Sequence, residues 1–312
     1  MDELVIARDL RQSFGTTEAL RGVSFDLRAG ERLALVGPAG AGKTSLAALL
    51  AGRLPPASGQ LKILGMDART HGRALRRLVG WVPARDTLDE ELGALEGLRA
   101  FGRYHGLGRA ETRQRAGELL TFVGLLDRAR ALPGELGAEG RRRLQLARAL
   151  IQGPALLVLD EPTAGLEPAA QRFLWSRLAA LRAQGLPTLL ATSNPDEACL
   201  LGDRLLLLDH GRLVDEGSAA ALVARHAGGE VIELRPLDGR PGADLEALLS
   251  GSVPPGARIE RRDGALLCFS PAGEMFPPAL LERAHLAGFA VTTRRAGLAD
   301  ALRALRGREA RT

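Results

Sequence analysis

Residues 37–44 read Gly-Pro-Ala-Gly-Ala-Gly-Lys-Thr, which fits the spacing G-x-x-x-x-G-K-[ST]. The chemistry this spacing offers is the grip of a polyphosphate. The glycines let successive backbone N–H groups turn inward around phosphate oxygens, at the positive end of the helix that follows. Gly37, Pro38, Ala39, Gly40, Ala41, Gly42, Lys43, Thr44 and Ser45 are therefore the candidate binding residues. Lys43 has the length to reach the β- and γ-phosphates, and the Thr44 hydroxyl is suited to hold Mg²⁺. The lysine carries weight because Lys43 and Lys62 are the chain's only lysines; arginine supplies the remaining basic charge. A compact, flexible ammonium is what the loop needs. Downstream, the apolar run at residues 155–159 ends in Asp160-Glu161-Pro162. An acidic residue closing such a strand gives a second Mg²⁺ contact, here Asp160, and Glu161 would then point at an attacking water as its base or orienter. An Asp-Glu-Pro turn after a strand is common by itself; the loop upstream gives it meaning.

These residues need elements to position them. Residues 32–36 read as a short apolar strand running into the loop, and residues 45–51 as a helix leaving it. Further strands are expected at 4–7, 23–27 and 60–63. A mostly helical stretch follows, with helices at 92–104, 109–120 and 138–150. Strand and helix then alternate again: strand 155–159, helix 168–183 with a proline near its start, strand 188–192 and helix 195–201. Strands 205–209 and 212–216 flank a turn at His210-Gly211, where His210 reads as a turn residue and not as a ligand. The helical stretch thus looks inserted into an α/β domain. A boundary at residues 227–229 gives a domain at 1–228 and a small α+β extension at 229–312. In the extension, strands are expected at 230–234, 257–261, 265–270 and 289–294. Helices are expected there at 243–249, 278–286 and 298–305, with a loop at Pro254-Pro-Gly256.

Bulk properties narrow the class. With 312 residues the chain holds one large domain and a small one. It contains no run of the ~18 apolar residues a membrane helix needs, and its N-terminus lacks the basic and apolar regions of a signal peptide. Two cysteines far apart, Cys199 and Cys268, suggest a reducing compartment and neither a disulfide framework nor a metal site. Cys199 lies in a helical apolar pattern and reads as a buried small hydrophobe. The net charge of +5 comes from arginine clusters, and aromatics are only 4% of the chain, too few to stack bases. The clusters read as solvated helix faces, and no nucleic-acid partner is expected.

With these residues in hand, the chain resembles the ATP-binding subunit of an ABC transporter over residues 2–226. Gly80-Trp-Val-Pro83 resembles that family's strand into the Q-loop, and residues 144–150 the helix behind its signature. Ala164-Gly-Leu-Glu-Pro168 resembles the D-loop, and residues 203–213 the closing strands. Phe14 matches the aromatic that stacks on adenine. The extension resembles that of ABC-2 type export ATPases of the daunorubicin-exporter type, through residues 297–308. The resemblance implies a P-loop NTPase fold of α/β class, an inserted helical subdomain, and ATP and Mg²⁺ as cofactors. It also implies transmembrane permease subunits and a second ABC subunit, identical or not, as partners. The place would be the cytoplasmic face of the membrane, peripherally bound.

Four positions depart from the family pattern. The Q-loop glutamine falls on Ala84, the signature Leu-Ser-Gly-Gly-Gln on Leu136-Gly137-Ala138-Glu139-Gly140, the switch histidine on Ser193, and the D-loop aspartate on Glu167. Ala84 has no side-chain oxygen for metal or water, and the Ser193 hydroxyl is shorter than an imidazole. Glu139 would bring a carboxylate toward a partner's triphosphate unless it turns away or is paired. The binding groups are all present, so firm Mg-ATP binding with slow hydrolysis is expected. Two readings follow: an ATPase that drives export, or a nucleotide-gated binding subunit whose partner hydrolyses the ATP.

Overall fold

The computed structural model describes residues 3–237, 255–262, 264–271, 274–286 and 288–309. The chain divides into two compact units, Met1–Glu216 and Gly217–Thr312.

In the first unit, strands β3 (Arg32–Val36), β7 (Leu156–Asp160), β8 (Thr188–Thr192) and β9 (Arg204–Asp209) are nearly continuous apolar runs. Such strands are buried on both faces and belong inside a parallel sheet. With β6 (Val79–Val82) and β10 (Arg212–Gly217) they form the order β10-β9-β3-β8-β7-β6. The register pairs Val36 with Thr192 and Asp160 with Ala191. Three strand ends therefore stop side by side, and residues 37, 161 and 193 leave the sheet at one carboxyl edge. Crevices outside that edge are where open α/β sheets bind ligands.

A second, antiparallel sheet has the order β2-β1-β4-β5, from β1 (Glu3–Phe14), β2 (Thr17–Arg28), β4 (Ser58–Ile63) and β5 (Met66–Asp67). β1 and β2 are much longer than the sequence pattern suggests, because register shifts break the alternation that marks a strand. Helix α1 (Lys43–Leu50) lies in the core common to both sheets, with Leu46, Leu49 and Leu50 at 0% exposure among Leu10, Leu20, Leu33 and Leu206. Burial of each such leucine stabilises by about 1.5–3 kcal/mol, enough to fix the helix that carries Lys43 and Thr44. Helices α3 (Ala94–Tyr104), α4 (Arg109–Phe122) and α5 (Gly137–Leu150) form the inserted helical segment, as their spacing predicts. Helix α2 (Gly72–Leu78) is not evident in the sequence: it buries Leu75 alone and carries three arginines.

Helices α6 (Pro168–Ala183) and α7 (Pro195–Leu201) follow β7 and β8. One expectation is corrected on α7: Cys199 is exposed. The helix buries Glu197, Ala198 and Leu201, which share one face at 100° per residue, and Cys199 falls outside it.

The second unit begins before the glycines at residues 228–229. Helix α8 (Ala219–His226), not expected from the sequence, packs on the helix Leu298–Glu309 and so joins the later residues. β11 (Glu230–Pro236), β12 (Arg258–Arg262), β13 (Ala265–Phe269) and β14 (Phe289–Arg295) form an antiparallel sheet of order β12-β13-β11-β14. Ile232, Leu234, Leu266, Cys268, Phe276 and Leu280 make its core with the helix Pro278–Leu286. Asp300 is 1% exposed and accepts from Arg294 at 2.5 and 2.9 Å. The helix expected at 243–249 and Pro254 of the expected loop lie outside the described residues. Among the described residues, no helix is long and apolar enough to cross a membrane.

Candidate functional site

The loop at residues 37–42 has no room for other residue types at two of its glycines. Gly42 caps α1 with φ 100°, a left-handed value, and a Cβ there would stand 2.4 Å from the Ala19 carbonyl oxygen. A Cβ at Gly37 would stand 2.0 Å from the Leu208 carbonyl oxygen. The loop is also braced from outside, since the Gly211 N–H donates to the Ala41 carbonyl at 3.0 Å. The His210-Gly211 turn thus supports the loop through its backbone, and His210 is exposed.

Lys43 is 6% exposed. Its ammonium donates to the carbonyls of Gly37 at 2.8 Å and Pro38 at 2.9 Å, and stands 3.4 Å from Glu161 Oε1. The Thr44 hydroxyl donates to Asp160 Oδ1 at 3.2 Å. Ser193 donates to Glu161 Oε2 twice, from its N–H and its hydroxyl, both at 3.1 Å. The parallel register therefore joins Lys43, Thr44, Asp160, Glu161 and Ser193 in one cluster. Glu161 holds φ 46°, which only firm surroundings sustain in a residue with a side chain. Pro38 and Ser45 are half-buried, while Ala39, Gly40 and Thr44 are exposed and open to a ligand. Ala41 is buried beneath them. Phe14 sits at the end of β1, 47% exposed, with a free ring for stacking.

The residues fit a divalent cation. Asp160 is 1% exposed, and its Oδ2 is buried with no hydrogen-bond partner. Burial pushes the Asp160 carboxyl up; the Thr44 hydroxyl opposes this, the Glu161 charge adds to it, and the Lys43 charge and the Ala84 backbone N–H oppose it. The Lys43 ammonium faces Glu161, and the Arg142 guanidinium is near enough to interact with both carboxylates. The described residues contain no cluster of three or more His, Cys, Asp or Glu suited to a metal.

The departures have visible outcomes. Glu139 is ion-paired to Arg143 one turn later on α5, so its charge is met within its own helix. Gly137, at φ 63°, starts that helix. Ala84 contributes only backbone: Arg142 donates to the carbonyls of Pro83 at 2.7 Å and Ala84 at 2.9 Å. Gln145 donates to the Arg85 carbonyl at 3.3 Å and to Asp86 at 3.1 Å, and Arg141 pairs with Asp86 and Glu90. One polar face of α5 thus clamps residues 83–90. Glu167 is exposed at the N-cap of α6 and makes no side-chain capping bond.

Sequence reasoning missed Glu197. It is 1% exposed and accepts from Thr192 at 2.6 Å, Thr163 at 2.7 Å and Trp175 Nε1 at 3.0 Å. Burial pushes its carboxyl up, against those three bonds. The available signal was an acidic residue beside Ala198 on the apolar face of a short helix.

Comparison with known proteins agrees with this geometry. Residues 20–164 match the family model described as ABC transporter. The chain is 39% identical over 300 residues to the Nod factor export ATP-binding protein I of Rhizobium sp. (strain N33), covering 96% of each chain. It is 37% identical over 310 residues to the protein of that name from Paraburkholderia xenovorans (strain LB400), covering 99% of each. Among solved structures, an ATP-binding subunit of an ABC transporter superposes with TM-score 0.65 at 28% identity, over 71% of this chain and 92% of that one. A dimeric ATP-binding cassette in a post-hydrolysis state with ADP and Pi superposes with TM-score 0.64 at 24% identity, over 69% of this chain and 98% of that one, a likeness of fold. A glycine-rich loop at the carboxyl edge of a parallel sheet, an acidic pair at the end of β7 two strands along, and relatives matched along nearly their whole length lead to one conclusion: this chain belongs to the ABC transporter ATP-binding family, a family of P-loop ATPases.

Proposed function

We propose that the chain binds Mg-ATP at residues 37–45 and hydrolyses it to drive export by separate transmembrane subunits. Phe14 stacks on the adenine. Backbone N–H groups of the loop and the Lys43 ammonium hold the phosphates, with Lys43 exchanging its Glu161 contact for phosphate oxygen. Thr44 and Asp160 hold Mg²⁺, which when bound neutralises phosphate charge. Glu161 accepts a proton from the attacking water or orients it. Two ATP-binding subunits close head to tail over the nucleotides. The observation that carries this reading is the convergence of Lys43, Thr44, Asp160 and Glu161 within hydrogen-bond or ion-pair distance, from two segments 116 residues apart.

The membrane subunits supply the path, and the choice of cargo rests with them. Their contact is a groove of about 360 Å³ on the helical segment, lined by Leu88, Leu92, Phe101, Tyr104 and Leu144. It begins where α5 clamps residues 83–90, and Tyr104 is 81% exposed there. The chain then works at the cytoplasmic face of the membrane.

A second reading is a nucleotide-gated subunit that closes on ATP while its partner hydrolyses. Ala84, Gly137 and Ser193 support it: Ala84 and Gly137 have no polar side chain, and the Ser193 hydroxyl is shorter than an imidazole. Glu161→Gln separates the two in single-turnover measurements on the complex that co-purifies from detergent-solubilised membranes. Trapped ATP without turnover supports the first reading. Turnover at the parental rate refutes it in favour of the second.

A further inference from the structure

Two features fix the position of Glu161, the candidate base of the hydrolytic step. Its carboxylate is held by the N–H and hydroxyl of Ser193, both at 3.1 Å. Its backbone is held in a left-handed turn at φ 46°, followed at once by Pro162 and Thr163. Both features lead to the same neighbouring side chain, Glu197. Thr192 immediately precedes Ser193, and its hydroxyl donates to Glu197 Oε2 at 2.6 Å. Thr163 closes the turn after Glu161, and its hydroxyl donates to Glu197 Oε1 at 2.7 Å.

The direction of these bonds is set by their neighbours. The Thr192 oxygen accepts the Asn194 N–H at 3.0 Å, which leaves its proton for Glu197. The Trp175 indole, which can only donate, gives its proton to Glu197 Oε1 at 3.0 Å. Asn194 also accepts from the N–H groups of Asp196 at 2.9 Å and Glu197 at 3.3 Å, so the loop after β8 and the start of α7 are one hydrogen-bonded piece. Thr163, Thr192 and Glu197 are all at most 2% exposed. A carboxylate buried to that degree is tolerated only with its oxygens satisfied, and here every donor comes from a segment that frames Glu161 or from α6.

We propose that Glu197 is the positioning residue of the catalytic centre, tying the turn that carries Glu161 to the loop that holds the Glu161 carboxylate. This rests on Glu161 acting in hydrolysis on this chain. Glu197 is 1% exposed, so it acts through the side chains it binds. It fixes the angle at which Glu161 is presented, and through Trp175 it joins that angle to α6, which follows the D-loop position.

The test uses Glu197→Gln, Thr192→Val, Thr163→Val and the rescues Thr192→Ser and Thr163→Ser in the co-purified complex, with Glu161→Gln in parallel. Mg-ATP affinity, single-turnover rate and melting temperature are measured on each. Misplacement of a reacting group on the ångström scale costs on the order of a hundredfold in rate. Glu197→Gln, and each valine variant, is expected to lose about ten- to a hundredfold in turnover with nucleotide affinity within about twofold of the parent. The serine variants are expected to recover turnover, because they restore the hydroxyl. Should Glu197→Gln fail to fold, the near-isosteric valine variants carry the same comparison. The proposal is overturned if folded variants turn over at the parental rate. It is equally overturned if affinity and rate fall together in step with melting temperature, or if serine does not rescue. If Glu161→Gln itself turns over at the parental rate, the assignment of hydrolysis to this chain fails and the role of Glu197 with it. If Glu161→Gln is dead while Glu197→Gln is normal, only the positioning role fails.

Discussion

Replacing Ser193 with alanine removes one hydroxyl from the Glu161 carboxylate and leaves the rest of the cluster in place. Glu161 Oε2 accepts two bonds at 3.1 Å, from the Ser193 N–H and Oγ, and Oε1 faces Lys43 at 3.4 Å. A hydrogen bond to a charged group contributes about 1.5–3 kcal/mol net. The Glu161 side chain is 19% exposed and keeps the N–H in the variant, so the lower end applies, about 1.5 kcal/mol. At about 1.4 kcal/mol per factor of ten, that is roughly a tenfold loss. The loss belongs in the hydrolytic step, because Ser193 contacts the carboxylate and not the loop that grips phosphate. Single-turnover hydrolysis by the complex is expected to slow about tenfold, with Mg-ATP affinity within about twofold of the parent. Ser193→Thr, which keeps the hydroxyl, is expected to stay near the parental rate. A Ser193→Ala rate equal to the parent would mean that Glu161 needs no such anchor. Weakened affinity at an unchanged rate would mean that Ser193 belongs to nucleotide binding. Either result refutes the assignment of Ser193 as the anchor of Glu161.

Lys43→Ala is expected to weaken ATP binding by about 3 kcal/mol, more than a hundredfold, in isothermal titration, since it removes a buried charged partner of the phosphates. Gly42→Ala forces a Cβ to within 2.4 Å of the Ala19 carbonyl at φ 100° and is expected to destabilise the fold by at least about 2 kcal/mol in denaturant unfolding. Chelation of Mg²⁺ is expected to lower ATP affinity at least about tenfold in the parent and far less in Asp160→Asn, by fluorescent-nucleotide titration. Burial alone would raise the Asp300 carboxyl, but Arg294, the Gly297 N–H and Arg303 outweigh it and hold it at about 2. A folded-state value below the unfolded one stabilises above about pH 4 and is lost as pH falls toward 2. Acid unfolding, followed by circular dichroism, is therefore expected to lose part of its pH dependence over that window in Asp300→Asn.

The binding loop is legible in the sequence because its chemistry is contiguous: eight residues supply the turn, the ammonium and the hydroxyl, and an apolar strand and a helix flank them. Asp160-Glu161 is legible for the same reason, as the end of an unbroken apolar strand. Glu197 is not, since its three partners lie 5, 22 and 34 residues away and meet only when β7, β8 and α6 are assembled. The sequence leaves open whether Glu139 turns away or is paired, because side-chain direction on α5 is settled by packing, which brings it to Arg143. Helix α2 gives too little period, with one buried leucine among arginines, and α8 is too short to stand out. Cys199 was misread because an apolar neighbourhood in sequence does not specify which side of a seven-residue helix meets the core.

The clamp on residues 83–85 explains how alanine is accommodated at position 84. Arg142 and Gln145 grasp carbonyl oxygens there, which every amino acid possesses, so this attachment is indifferent to the side chain at that position. A change of side chain at position 84 therefore spares the linkage between this stretch of main chain and α5. What the side chain at position 84 can do and how its main chain is held are therefore independent.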